Sequence, residues 1–91
     1  MPVAIEWAAE KNIELKSRFG FGFERVEVAL ASGALLDQRA HPNADKYRHQ
    51  QQFVVEIDAY AWVVPFVIDG ERIFLKTMFP SRRATREYLG D

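Results

Sequence analysis

Residues 53–79, FVVEIDAYAWVVPFVIDGERIFLKTMF, repeat their apolar side chains with a period of two. Phe53, Val55 and Ile57 alternate with Gln52, Val54 and Glu56, and Tyr60, Trp62, Val64, Phe66 and Ile68 then make one aromatic-rich face. Two is the period of an extended chain, whose successive side chains point to opposite faces, so strands are predicted here. Asp69-Gly70, ahead of the run Arg72 to Phe79, is the strongest hairpin signal in the chain, because a primed two-residue turn needs positive φ at its centre. The last two strands are therefore predicted to be antiparallel neighbours. Pro65 has no N–H to give to a ladder, which predicts a bulge or a sheet edge at that point.

Working upstream, the period lengthens. Ile5, Ala8, Ala9, Asn12, Leu15 and Phe19 fall on one helical face, with Glu10, Lys11, Glu14 and Arg18 largely outside it, which predicts an amphipathic helix over residues 6–18 ended by Gly20. Phe23, Val26, Ala29 and Leu30 repeat the spacing and Gly33 supplies a stop, which predicts a second, shorter helix. Ala34 to Ala40 is a weaker strand, followed by a polar loop from His41 to Gln51 that is longer than packing alone usually requires. Downstream of the strands, Pro80-Ser81 and then RRATREYLG read as an N-cap serine and a short terminal helix docked by Ala84, Tyr88 and Leu89. The expected fold is α+β: two N-terminal helices, a four-stranded, mainly antiparallel sheet and a short C-terminal helix.

With 91 residues the chain is expected to be a single domain, 1–91, and 48% hydrophobic residues with 13% aromatics suffice for a core without covalent staples. There is no cysteine, which removes disulfides, thiolate nucleophiles and cysteine-type zinc sites and suits a reducing cytoplasm. The longest apolar run, Ala59 to Ile68, is interrupted by Pro65, and the N-terminal residues lack a signal-peptide pattern, so no membrane association is expected. Net charge is −1, which argues against bulk electrostatic adhesion to nucleic acid. Its distribution is uneven. Residues 71–91 carry five basic and three acidic groups and form the only net-basic segment.

That segment holds the main candidates for chemistry. Arg82 and Arg83 fall in the first turn of the terminal helix, where unpaired N–H groups already make a positive end. Either the conflict is tolerated at a cost of about 0.3–1 kcal/mol per charge, or a phosphate or carboxylate sits there, held by backbone N–H groups, the Ser81 hydroxyl and the two guanidinium forks. Lys76, on the last strand with Phe74 and Met78 as same-face neighbours, either reaches the same anion or covers the sheet with its aliphatic stem. In the polar loop Lys46, Tyr47, Arg48 and His49 stand together, and His49 is the group there suited to general base work at neutral pH. Lys46, Arg48 and Arg86 are further cations available to a phosphate backbone. His41 and His49 lack a third metal ligand at a familiar spacing, so no metal is expected. No phosphate-binding, dinucleotide, serine-hydrolase or zinc-protease motif is present, so no cofactor is expected either. Tyr60, Trp62 and Phe66 are assigned to the core rather than to base stacking.

The order of several short motifs carries a resemblance. Glu6-Trp7, Lys11-Asn12, Arg18-Phe19-Gly20 and Phe23-Glu24 are similar in spacing to the opening of the BrnT-like toxins, and Pro80-Ser81-Arg82-Arg83-Ala84-Thr85 resembles that family's closing segment. Ala8, Leu15 and Phe19 stand where the family often has Asp, Asn and His. The resemblance implies a type II toxin of RelE/ParE-like fold with metal-independent ribonuclease activity. It also implies a DNA-binding antitoxin partner. Carried over by position, the family's functional Ser and Arg fall on Ser81, Arg82 and Arg83, and Lys76 is a looser match to its basic strand residue.

Two functions from different classes are therefore expected to compete. One is a cytoplasmic ribonuclease acting on RNA, ribosome-bound mRNA included, with Lys76, Ser81, Arg82, Arg83 and His49 as the catalytic set. The other is a non-catalytic module of the same fold that binds a protein target or only its antitoxin.

Overall fold

A computed structural model describes residues 4–43, 45–46 and 49–90. In chain order the elements are β1 (Ala4–Trp7), α1 (Ala9–Phe19), α2 (Phe23–Ala31), β2 (Leu35–Ala40), β3 (Gln50–Ile57), β4 (Tyr60–Asp69), β5 (Arg72–Leu75), β6 (Phe79–Pro80) and α3 (Arg82–Leu89). The α+β class is as expected, but the sheet is larger and mixed. It runs β1-β5-β4-β3-β2, with β6 paired to β4 beyond the end of β5, and β1 lies parallel to β5 while the other pairs are antiparallel.

Two layers of helix enclose the sheet. Leu15, Phe23, Val26 and Ala29 of α1 and α2 pack on the face carrying Phe53, Val55, Ile57, Trp62, Val64, Phe66 and Leu75. On the opposite face Ala84, Tyr88 and Leu89 of α3 pack on Leu36, Val54, Ala61 and Val63. β3 and β4 thus lie between two covers, which is why 61–67 is a continuous apolar run rather than an alternating one.

The expected helix over 6–18 is corrected at its start: Ala4–Trp7 is a strand and the helix begins at Ala9. Ile5 and Trp7 turn toward the core while Ala4 and Glu6 stay exposed, so four residues of period two sit within a pattern that also fits a helix face. Gly20, at φ 86°, ends α1 as expected, its N–H donating to the Lys16 carbonyl. The α1–α2 corner is held by a buried Asn12. Its Oδ1 accepts the Phe23 N–H at 2.7 Å and its Nδ2 donates to Glu24 at 2.9 Å, so α1 supplies the cap that Gly22 has no side chain to give α2. Glu24 also pairs with Lys16 at 3.1 Å. Its own backbone N–H, Lys16 and Asn12 together hold its carboxyl below the ordinary range.

The last long strand is also corrected, because it is two strands. Phe66 pairs with Leu75 but Val63 pairs with Phe79, so one extra residue is inserted over Lys76–Met78. This is the bulge that Pro65 requires. The Pro65 carbonyl accepts the Lys76 N–H at 2.8 Å, and its ring nitrogen faces the same irregular side, where no ladder donor is needed. The insertion reverses the parity of the residues downstream of it. Met78 enters the α1/α2 core, whereas Lys76 remains on the other face with its Nζ 5.4 Å from the Phe74 ring. Both two-residue turns follow strand pairing: Gly70-Glu71, between the paired Asp69 and Arg72, and Asp58-Ala59, between the paired Ile57 and Tyr60. Asp58 and Ala59 have φ of 54° and 63°, a primed turn made without glycine.

Candidate functional site

The start of α3 is fastened to β4. The Ser81 N–H donates to the Ala61 carbonyl at 2.9 Å, and Thr85 Oγ1 accepts the Ala61 N–H while donating to the Ser81 carbonyl. Ser81 Oγ accepts the Ala84 N–H at 3.0 Å, the N-cap expected from sequence. Further along, the Tyr88 hydroxyl donates to Asp37 of β2. That bond, with the Gln38 N–H, lowers the Asp37 carboxyl, and the same bond together with burial raises the Tyr88 phenol.

Held in this way, α3 forms one wall of a cleft of about 310 Å³. Ser81, Arg83, Ala84 and Glu87 line the α3 side, and Arg39, Ala40 and Pro42, from the end of β2 and the loop after it, line the other. Arg39 is aligned by a buried partner, its Nε donating to Gln52 Oε1 at 3.0 Å. The ion pairs among the described residues join Lys11 to Glu14, Lys16 to Glu24, Arg25 to Asp58 and Arg72 to Glu6; none involves Arg39, Arg83 or Glu87. The cleft is therefore lined by two arginines, a serine and a glutamate together with the small apolar residues Ala40, Pro42 and Ala84.

An anion shared by Arg82 and Arg83 is one of the two alternatives that the sequence raises, and helix geometry separates the two side chains. Successive residues are turned by about 100° around an α-helix, so Arg83 and Glu87 share the flank that lines the cleft while Arg82 and Arg86 share the next flank, outside it. The second guanidinium of the cleft is instead Arg39. Lys76 is on the same sheet face but does not line the cleft. It follows Arg39, Gln52 and Pro65 in a cross-strand row, three strand spacings or about 14 Å from Arg39.

His49 and Lys46 are exposed on the β2–β3 loop and are not among the lining residues. Arg48 and Tyr47 lie outside the described residues. His41, between Ala40 and Pro42, accepts the Asn43 N–H at its Nδ1 (3.0 Å), which leaves Nε2 to carry the proton of the neutral ring. Trp62 and Phe66 are core residues, as expected, and Tyr60 packs against that core. Among the described residues no three His, Asp or Glu side chains are grouped to hold a metal, and no helix is long and apolar enough to cross a membrane.

Arg39, Gln52 and Glu87 were missed from sequence. Glu87 had a signal, its spacing of four from Arg83; Arg39 had only its alternation with Asp37 in a weak strand. No protein-family model, curated protein or solved structure matches the chain.

Proposed function

We propose that the chain is a small BrnT-like toxin that cleaves RNA, and that its reacting phosphate sits in the cleft between β2 and α3. The observation that carries this reading is the convergence of Arg39 and Arg83, from distant parts of the sequence, with Ser81 on one cavity. Guanidinium forks match phosphate oxygens, and the Ser81 hydroxyl keeps a donor free while its oxygen caps α3.

In the proposed reaction a ribose 2′-hydroxyl attacks its neighbouring phosphate, so the nucleophile comes with the substrate. The bond to the 5′-oxygen breaks, leaving a 2′,3′-cyclic phosphate on one fragment and a 5′-hydroxyl on the other; the 2′-hydroxyl proton is lost to solvent and the 5′-oxygen takes one from it. Charge building on the phosphate oxygens is stabilised by Arg39, which Gln52 aligns before the substrate arrives, and by Arg83. Loss of one such donor slows comparable chemistry by about 100-fold or more. Lys76, Arg82, Arg86, Lys46 and His49, which do not line the cleft, act on the flanking RNA rather than at the reacting phosphate. A DNA-binding antitoxin is the proposed partner, and the cytoplasm the proposed site of action.

Purified protein incubated with mRNA, with and without ribosomes, tests the proposal. Fragments with 5′-hydroxyl ends, lost in Arg39→Ala and in Arg83→Ala, are expected. Growth inhibition without any cleavage would instead favour the non-catalytic interaction module.

A further inference from the structure

The cleft that holds Arg39 and Arg83 also holds Glu87, and a carboxylate is the wrong group for a site that binds only a phosphate. Position along α3 resolves the conflict. Ser81 and Glu87 are six residues apart, about 9 Å along a helix rising 1.5 Å per residue, with Arg83 near the Ser81 end. That is on the scale of the separation between a nucleotide's phosphate and the far edge of its base. Ala84 lies between the two poles along α3, and Ala40 and Pro42 line the wall from β2, small apolar surfaces suited to a flat ring. The ligand that fits is therefore negative at one end, planar in the middle and hydrogen-bond donating at the other end.

Resting on the reading of the cleft as an RNA-phosphate site, we propose that Glu87 selects guanine as the base carried by the bound nucleotide. An ionised carboxylate has two acceptor oxygens and no donor. Guanine presents adjacent N1–H and N2–H donors on its Watson–Crick edge, and a carboxylate takes both at once. Adenine and cytosine each pair one amino donor with a neighbouring ring-nitrogen acceptor on that edge. Uracil sets its single N–H between two carbonyl oxygens, which a carboxylate repels. Glu87 forms no ion pair with Arg39 or Arg83, so its carboxylate is not committed to either wall.

The test is titration of the full chain with GMP, IMP, AMP, CMP and UMP, followed by calorimetry and amide NMR, with RNA cleavage sites mapped in parallel. GMP is expected to bind about tenfold more tightly than AMP, CMP or UMP, the scale of one good bidentate base contact. IMP, which keeps N1–H but lacks the amino group, should fall between them. Glu87→Gln should bring the nucleotides within about twofold of one another with an unchanged amide spectrum, while Arg83→Ala should weaken all of them alike. Equal binding of the nucleotides, no binding of GMP, or a guanine preference that survives Glu87→Gln overturns the assignment. RNA cleavage without guanine at the cut would sink this inference and leave the ribonuclease reading standing. Selective GMP binding by a protein that cuts no RNA would do the reverse.

Discussion

Replacing Asn12 by alanine removes the buried side chain that ties α1 to the start of α2 and leaves the exposed Lys16–Glu24 pair as the other link between them. The Phe23 N–H, on a fully buried residue, loses its acceptor, and Glu24 loses a donor at 2.9 Å. An unsatisfied buried donor costs about 1–3 kcal/mol; with the half-exposed Glu24 contact added, the expected loss is about 2–3 kcal/mol, a fall in Tm of about 8–24 °C for a domain of this size. Gly22 allows a sharper test. Its backbone, at φ −127°, suits any residue, but a Cβ there would run into Asn12 Oδ1. Gly22→Ala should therefore cost about 1–3 kcal/mol in the native background. In the Asn12→Ala background the cost should be under about 1 kcal/mol, because the remaining close neighbour is the movable Lys16 stem. Urea denaturation of the four proteins completes the cycle. Additive losses would refute the reasoning, since they would mean that the glycine is needed for something other than the approach of Asn12. Asn12→Asp adds a pH readout: it retains the acceptor for Phe23 but sets a second carboxylate against Glu24, so its deficit should shrink as pH falls through the carboxylate range.

Ala59→Gly should stabilise the chain by about 1 kcal/mol, because Ala59 occupies left-handed backbone at φ 63° where glycine carries no Cβ penalty; an unchanged or lower urea midpoint would contradict this. Tyr88→Phe should lower Tm at neutral pH by removing the bond to Asp37. Asp37 has a lowered pKa, so its contribution holds above its ordinary 3.8 and is lost as pH falls through the lower folded value. Tyr88 has a raised pKa, so its contribution holds below 10.0 and is lost as pH rises through the higher folded value. The Tm gap between the two proteins should therefore close at both extremes, and a gap independent of pH would exclude this bond as its source. Arg82→Ala should retain far more RNA cleavage than Arg39→Ala or Arg83→Ala, measured at matched salt; equal loss in all three would return the site to the helix terminus.

Elements with many residues of one period were legible from sequence. β3, β4 and α2 announce themselves through repeated spacing, α3 through its N-cap serine, and Pro65 signals an irregularity in the sheet. What escaped depends on partners distant in sequence. β1 has four residues, too few to separate a period of two from a helix face, and its evidence as a strand is its parallel register with β5. Beyond the irregularity that Pro65 signals, the inserted residue after Leu75 leaves no mark in its own strand to show that it moves Met78 to the opposite face from Lys76. The candidate site was half legible for the same reason. Ser81 and Arg83 follow from a local N-cap pattern, whereas Arg39 joins them only through the β2–β3 register that sets it beside Gln52. Arg82 and Arg83 are neighbours on the chain and diverge on the helix.

The parallel pairing of Ala4–Trp7 with Arg72–Leu75 joins the first strand in the chain to one of the last. During synthesis β1 emerges long before its partner exists, and no short connection can bring the two together. The antiparallel strands can zip by successive hairpins while β1 waits, leaving the backbone groups along one side of β5 exposed to any extended chain that meets them. Docking of β1 is thus expected to be a late step of folding, and the bare β5 edge the place where a half-folded molecule aggregates.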